Sequence, residues 1–278
     1  MLFNREIMRD LGLESPYKYV FDGTWTMDKL TEFTKGAYRD LNGNGVKDDE
    51  DIYGYVNTSM DRYFPSSCEV KIVTVDKGGR PALSINGERY ASVINKAYNL
   101  IHAPDSYAEL GWFESFAHFA NGKALTVFWH TGYWKELRPI EFEFGILPPP
   151  KLNEQQKNYH ILLASVLGVP NNIGDPENLS MIIQAFAEKS YKYLRPAMID
   201  NVLYNKCLQD EESQRIMDII LDSKTYDLGF TFQSDYRMFN MIMVVVTQNK
   251  STDFVSYYEK YAEKEQGILD NVFDEIAK

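Results

Sequence analysis

The sharpest chemical pattern in the chain is Asp40-Leu41-Asn42-Gly43-Asn44-Gly45-Val46-Lys47-Asp48-Asp49-Glu50-Asp51. It fits the calcium-loop spacing D-x-[DN]-x-[DN]-G, with Asp instead of Glu at the twelfth place. Calcium takes six to eight hard oxygens, and alternate residues of a tight loop aim theirs at one centre. Asp40, Asn42 and Asn44 would supply side-chain oxygens, Val46 its carbonyl, and Asp48 and Asp51 the remainder. Gly45 permits the sharp turn. The shorter Asp51 reaches the ion with less of its carboxylate than Glu would, which weakens the site. A helix pattern precedes the loop and a strand pattern follows it, so the expected role is structural bracing, not a paired sensor hand. A metal-free Asx turn uses the same residues, and the twelve-residue register favours calcium over it.

Aromatic residues form the second pattern: 4 Trp, 19 Tyr and 16 Phe, densest at Phe128-Trp129-His130-Thr131-Gly132-Tyr133-Trp134. Sugars stack their C–H faces on flat rings while polar groups take their hydroxyls, so rings gathered in a cleft suit a carbohydrate. On pattern alone, packing outweighs a ligand role for any single ring. Catalytic signatures are scarce. H-E-x-x-H, a Walker loop, G-x-S-x-G and the Rossmann glycine fingerprint are absent, and His102, His118, His130 and His160 are scattered. Glu141 and Glu143 alternate on one strand face and imitate the two carboxylates of a glycoside hydrolase, a weak signal because such pairs are common on solvated faces.

These residues need helices and strands to hold them. Thr26 caps a helix with Leu30, Phe33 and Ala37 at helical spacing, which ends at the acidic loop before the strand Ile52 to Val56. VKIVTVD and PALSI flank Lys77-Gly78-Gly79-Arg80 as a hairpin. Tyr90, Val93, Ile94, Ala97 and Ile101 line one face of the next helix. Trp112 to Ala120 is a short aromatic helix stopped by Asn121-Gly122 before the strand ALTVFW. FEFGIL runs into Pro148-Pro149-Pro150, a stiff segment suited to a domain crossing. ILLASVLGVP reads as a strand covered on both faces. Asp175-Pro176 opens a helix with Leu179, Ile182, Ile183 and Phe186 inward, and further helices are expected at 196–208, 211–221, 236–247 and 252–277. The alternation predicts α/β layers.

The 278 residues suit one large or two medium domains. With 29 Lys+Arg against 40 Asp+Glu, the net charge of −11 disfavours nucleic acid and anionic membrane surfaces and points to a neutral ligand. Cys68 and Cys207 lack disulfide-framework or metal spacing and read as free thiols. No apolar run reaches the ~18 residues of a transmembrane helix, and the first residues carry charges where a signal peptide needs an apolar stretch.

Taken in order, several segments resemble the family 1 extracellular solute-binding proteins, the sugar-binding components of ABC importers. Leu2-Phe3-Asn4-Arg5-Glu6-Ile7 resembles the family's "Y-Y-N-K-D-L-F", and Leu11-Gly12-Leu13 its "aGl". Thr24 to Leu30 resembles "T-W-D-E-F", and Asp40 to Gly54 resembles "DLNGDGKxDxxDxYG". Phe119 to Leu125 followed by Thr131-Gly132-Tyr133-Trp134 resembles "F-x-x-G-K-A-A-M … G-x-W". Phe144 to Pro148 resembles "fGi-x-P-x-P". The resemblance runs over essentially the whole chain.

It implies an α/β, periplasmic-binding-protein-like (type II) two-lobed fold that closes on a sugar or oligosaccharide without a chemical step and passes it to ABC permease subunits. Trp134 falls on the stacking tryptophan of "G-x-W", Phe3 on the cleft aromatic before "N-K", and Tyr236 near a further sugar-contacting aromatic. Trp129 and Tyr133 join them from the aromatic cluster, and Trp25 is expected to pack in the core. In the family the "N-K" segment comes well into the chain, after a signal sequence and most of the first lobe, whereas here it starts at Leu2. The expectation is an N-terminally truncated form with the first lobe incomplete. Residues 1–140 and 232–278 would form a nearly complete C-terminal-type lobe with the calcium loop, and 141–231 the returning segment of the other lobe with its crossings. The resemblance places the parent outside the cell, as a membrane-anchored lipoprotein or in the periplasm, and a swapped dimer is one route to completing the missing lobe. The alternatives are a glycoside hydrolase and a calcium-dependent interaction module.

Overall fold

Short β-branched and aromatic runs supply the strands, and capped amphipathic segments cover them. The computed structural model describes residues 1–278 apart from 86, 109, 163–166, 171, 200–203, 205–207, 209, 233–236, 277–278 and the side chains of Thr131 and Trp134. The strands are β1 (Leu2–Asn4), β2 (Tyr53–Val56), β3 (Val73–Val75), β4 (Pro81–Leu83), β5 (Ser106–Tyr107), β6 (Ala124–Val127), β7 (Phe144–Ile146), β8 (Ile161–Leu162) and β9 (Lys224–Thr225). The α-helices are α1 (Arg5–Asp10), α2 (Pro16–Phe21), α3 (Met27–Thr34), α4 (Phe64–Ser67), α5 (Glu88–Ile101), α6 (Trp112–Ala120), α7 (Pro176–Lys189), α8 (Glu211–Asp222), α9 (Leu228–Phe232) and α10 (Phe254–Ile276).

The central sheet has the order β5-β2-β6-β1-β7. β2 runs parallel to β5 and β6, with Tyr55 opposite both Ser106 and Thr126, while β1 runs antiparallel to β6 and β7, with Phe3 opposite Thr126 and Gly145. Strands β2, β5, β6 and β7 therefore point the same way, and their carboxyl ends share one edge of the sheet. Every residue of β2 and β6 is buried, so both faces are covered, as parallel strands require. α3 and α5 pack on β2, and α1 and α6 on β6. The antiparallel β3–β4 hairpin turns at Asp76, whose Oδ1 accepts the Gly78 and Arg80 N–H groups at 2.8 Å. It packs against α10.

The caps form as the residue types require. Asn4 Oδ1 accepts from Glu6 N and Ile7 N at the start of α1, Thr26 Oγ1 from Lys29 N in α3, and Asp175 from Asn178 N in α7. Trp25 is fully buried, as expected of a packing residue, and its indole donates to the Pro148 carbonyl at 3.1 Å. Buried Cys68 is a free thiol whose pKa burial pushes up to about 12, so it is unreactive at neutral pH; Cys207 lies outside the described residues.

Two expectations fail for one reason. α7 forms, but Leu179, Ile182, Ile183 and Phe186 are not inward: no residue of the helix is buried, and Phe186 is 70% exposed. The run predicted as a covered strand is a strand only at Ile161–Leu162; 163–166 lie outside the described residues, and Leu167 beyond them is 77% exposed. Periodicity reports that a face is apolar, and nothing among the described residues lies against this one. The helix predicted over 196–208 falls mostly outside the described residues. Of the one predicted over 236–247, Ile242–Gln248 forms a π-helix that packs on α5.

Candidate functional site

At the shared carboxyl edge of the sheet the chain leaves β2, β6 and β7 and opens a crevice, the place where ligands bind on parallel α/β sheets. After β2, Thr58 Oγ1 caps a 3-10 turn (Ser59–Tyr63) by accepting from Met60 N and donates no further than the Phe128 carbonyl at 3.0 Å. That bond ties the segment after β2 to the segment after β6. After β6 come Phe128, Trp129 and His130, then a second 3-10 stretch (Thr131–Leu137) whose first turn is capped by His130 Nδ1 accepting from Gly132 N at 2.8 Å.

The crevice has a narrow and a wide half that share Met60, Tyr63 and His130. The narrow half, about 80 Å³, lies between Phe128, Trp129 and Leu147 of the sheet edge and His160, Ile161, Leu162 and Ile220 across from them. The wide half, about 320 Å³, is lined by Ser59, Arg62, Trp112, Tyr133, Phe230 and Phe239 as well, a volume within the ~300–1,000 Å³ of small-molecule sites. Trp112 and Tyr133 meet edge to face at 5.1 Å, Trp129 stacks on Phe116 at 4.1 Å, and Tyr63 meets Phe239 edge to face at 5.0 Å. The rings thus brace one another, which keeps their faces in place before a ligand arrives.

Of the residues singled out from sequence, Trp129 and Tyr133 come together here, although Trp129 is only 5% exposed. Phe3 is corrected: it is fully buried in the core, edge-on to Tyr17 at 5.3 Å, and lines neither half. Its side chain is enclosed because β1 is an interior strand with neighbours on both sides. Tyr236 and the side chain of Trp134 lie outside the described residues; the Trp134 backbone is within the 3-10 stretch. Glu141 and Glu143 are exposed and outside the crevice, and Glu143 pairs with Arg9 at 2.8 Å. Arg62, Tyr63, Trp112, Phe230 and Phe239 had no sequence signal; they converge from four separated segments.

Beneath the crevice, fully buried Asp61 accepts a hydrogen bond from Tyr55. Burial pushes its pKa well above the usual carboxylate range, opposed in part by the hydrogen bonds with Tyr55 and the Thr58 backbone and by the charge of Arg62. Burial also lowers the His130 pKa, which leaves that ring neutral at pH 7.

The acidic loop is the second candidate. Gly43 and Gly45 take φ of 70° and 71°, and their N–H groups donate to the two oxygens of Asp40 at 2.7 and 2.8 Å. Asn42 and Asn44 both reach Asp48 Oδ2, at 3.0 and 2.7 Å. The Glu50 N–H and these two amides hold the Asp48 carboxyl below its ordinary pKa. Asn42, Asn44 and Asp48 therefore meet at one point through the amide nitrogens, while the Asn42 and Asn44 oxygens accept the Asn44 and Val46 N–H groups at 3.0 and 2.7 Å, so calcium, which takes oxygens, requires these amides to turn over. Asp51 sits apart from them, fully buried, with the Leu41 N–H on one oxygen at 3.1 Å and the Tyr38 hydroxyl on the other at 3.0 Å. No cluster of three or more His, Cys, Asp or Glu with metal-holding geometry occurs among the described residues, so a calcium ion here would depend on the Asn amides and backbone carbonyls.

Among the described residues, no helix is long and apolar enough to cross a membrane. The sequence matches no family model and no curated protein. Solved structures do match. The ABC substrate-binding protein Lmo0181 from Listeria monocytogenes in complex with cycloalternan aligns with a TM-score of 0.59 and 14% identity, over 98% of this chain and 69% of that one. The maltose/maltodextrin-binding domain MalE from Bdellovibrio bacteriovorus bound to maltotriose gives 0.58 and 13%, over 98% and 70%. UgpB from Mycobacterium tuberculosis in complex with glycerophosphocholine gives 0.56 and 14%, over 98% and 69%. This chain therefore has the α/β fold of the periplasmic-binding-protein-like ABC solute-binding proteins, and it spans about 70% of the length of each of these three.

Proposed function

We propose that this protein is a solute-binding component of an ABC importer that holds a sugar or oligosaccharide in the crevice by aromatic stacking. The observation that carries this reading is the ring-lined crevice at the carboxyl ends of β2, β6 and β7, in a fold whose solved neighbours include proteins bound to cycloalternan and maltotriose. Binding is not followed by chemistry; the ligand biases closure, and ABC permease subunits read the closed form. The working place is the outer side of the membrane, as an anchored lipoprotein or a periplasmic protein. Tryptophan fluorescence and ligand-observed NMR with an oligosaccharide panel test it. Binding at micromolar to millimolar concentration is expected, and Tyr133→Ala or Trp134→Ala should weaken it about tenfold, the worth of a ring contact of ~1 kcal/mol plus its buried area. Unchanged affinity in both variants would remove the stacking contribution; silence across the panel would remove the sugar.

Calcium in the Asp40 to Asp51 loop belongs to the same proposal as a structural brace. Asp40, Asn42, Asn44 and Asp48 would hold it with the Val46 carbonyl, while Asp51 anchors the loop from below. Calcium at about 100 times its Kd should raise Tm by roughly 5 °C, from the ~2.7 kcal/mol that mass action supplies. Differential scanning calorimetry with calcium and with chelator checks this. A shift that persists in Asp48→Ala would locate the ion elsewhere, and no shift would leave the loop as an Asx turn.

A further inference from the structure

Arg62 is the one permanently charged side chain in the described lining of the crevice, and it forms no ion pair with a described residue. Its Nε donates to the Ser59 carbonyl at 2.5 Å, its Nη1 to the Asn240 side-chain oxygen at 3.0 Å, and its guanidinium lies 5.7 Å from the Phe239 ring centre. All three partners are uncharged. Neighbouring Asp61 is turned into the core and bonded to Tyr55, and it attracts Arg62 only through space, without an ion pair. No carboxylate of a described residue lies within ion-pair distance of Arg62. Nη2 is neither bonded to a described residue nor sealed from solvent, which leaves one edge of the fork for a ligand.

The other polar side chains of the lining carry no charge opposite to that of Arg62. Because His130 Nδ1 accepts from Gly132, its ring proton sits on Nε2. The indole N–H groups of Trp112 and Trp129 have no acceptor among the described residues, but both nitrogens are sealed from solvent in this form. The described lining contains no Asp or Glu. A neutral sugar brings hydroxyls that each need an acceptor as well as a donor, and the side-chain acceptors of the wide half are the uncharged hydroxyls of Ser59, Tyr63 and Tyr133. An anionic group consists of acceptors only and matches a guanidinium edge in charge and shape. The net charge of −11, which favours a neutral ligand, acts from the outer surface and is screened over ~8–10 Å, whereas Arg62 acts at contact distance.

We propose that the carbohydrate bound in this crevice carries a fixed negative charge, a carboxylate or a phosphate, and that Arg62 selects it. This rests on the sugar-binding reading above and adds the ligand's charge to it. The test is calorimetric titration of the 278-residue chain with a neutral galactose disaccharide, the matching digalacturonate and glucose 6-phosphate, repeated on Arg62→Gln and Arg62→Lys. At least one anionic probe should bind roughly 10- to 100-fold tighter than the neutral disaccharide, the range for a charge-assisted hydrogen bond. The uronate and phosphate arms decide which anion is preferred. Arg62→Gln should collapse the anionic-to-neutral ratio and Arg62→Lys should keep part of it, whereas a purely structural role for Arg62 lowers all affinities together. Equal or tighter binding of the neutral disaccharide, or a ratio indifferent to Arg62→Gln, overturns the charge assignment and leaves sugar binding standing. Silence towards all three probes overturns both.

Discussion

Gly54→Val is expected to prevent accumulation of folded protein, and Gly54→Ala to cost about 3 kcal/mol, the upper end of the usual overpacking range, because the added carbon meets backbone. A Cβ at this position would lie 2.9 Å from both the carbonyl carbon and the Cβ of Thr34, and closer still to the Thr34 oxygen. The obstacle is the end of α3, not the tip of a flexible side chain. Gly54 cannot retreat either, because its N–H donates to the Asp105 carbonyl at 2.7 Å and its carbonyl accepts from Thr126 Oγ1 at 2.8 Å. The strand is pinned on both sides, and the helix can yield only by lifting off the sheet. Urea unfolding followed by circular dichroism measures the loss. A Gly54→Ala protein within 1 kcal/mol of the parent would show that α3 does not press on β2 in this way. The consequence reaches the crevice, since β2 leads directly into the turn that carries Arg62 and Tyr63.

Asp227→Ala is the second large expected effect. Asp227 is buried, and its carboxylate accepts three backbone N–H groups, from Ile72 at 2.6 Å, Val73 at 3.3 Å and Gly229 at 2.8 Å. Burial raises its pKa, and the three donors oppose that rise. Alanine would leave those donors buried without an acceptor, at about 1–3 kcal/mol each and about 3–5 kcal/mol together after relaxation. The same bonds seat α9 on β3, where Gly229 lies so close to Ile72 and Val73 that a Cβ would fall 2.7 Å from the Ile72 side chain. α9 in turn presents Phe230 to the wide half of the crevice. Asp227→Ala should therefore lose ligand affinity along with stability, while Asp227→Asn, which keeps an acceptor oxygen, should lose less of both. Unfolding in urea together with a ligand titration separates the outcomes, and full stability in Asp227→Ala would deny the carboxylate its role as a strut.

Much of the secondary structure was legible in the chain. Thr26 and Asp175 cap the helices they were expected to cap, Asn121-Gly122 stops α6, and Lys77-Gly78-Gly79-Arg80 turns the β3–β4 hairpin. Each of these is a local contest between a side chain and the nearest backbone groups, decided within a few residues. The acidic loop was legible for the same reason, its Asx side chains bonding backbone two to five residues away. Gly54 stood out in the ordered motif, but its reason did not, since that lies in the carbonyl of a residue twenty positions earlier.

Local chemistry along the chain was enough to place most helices and strands, their apolar faces and the bend of the acidic loop, though not the extent of β8. Tertiary structure alone decided what covers those faces. It enclosed Phe3, left the apolar face of α7 in solvent, and drew Arg62, Trp112, Phe230 and Phe239 from separate segments to one crevice. The physical reason is range: caps, turns and periodicity act over a turn of helix or a pair of strands, whereas burial and the charge of a cleft depend on residues that only the folded chain brings within a few ångströms.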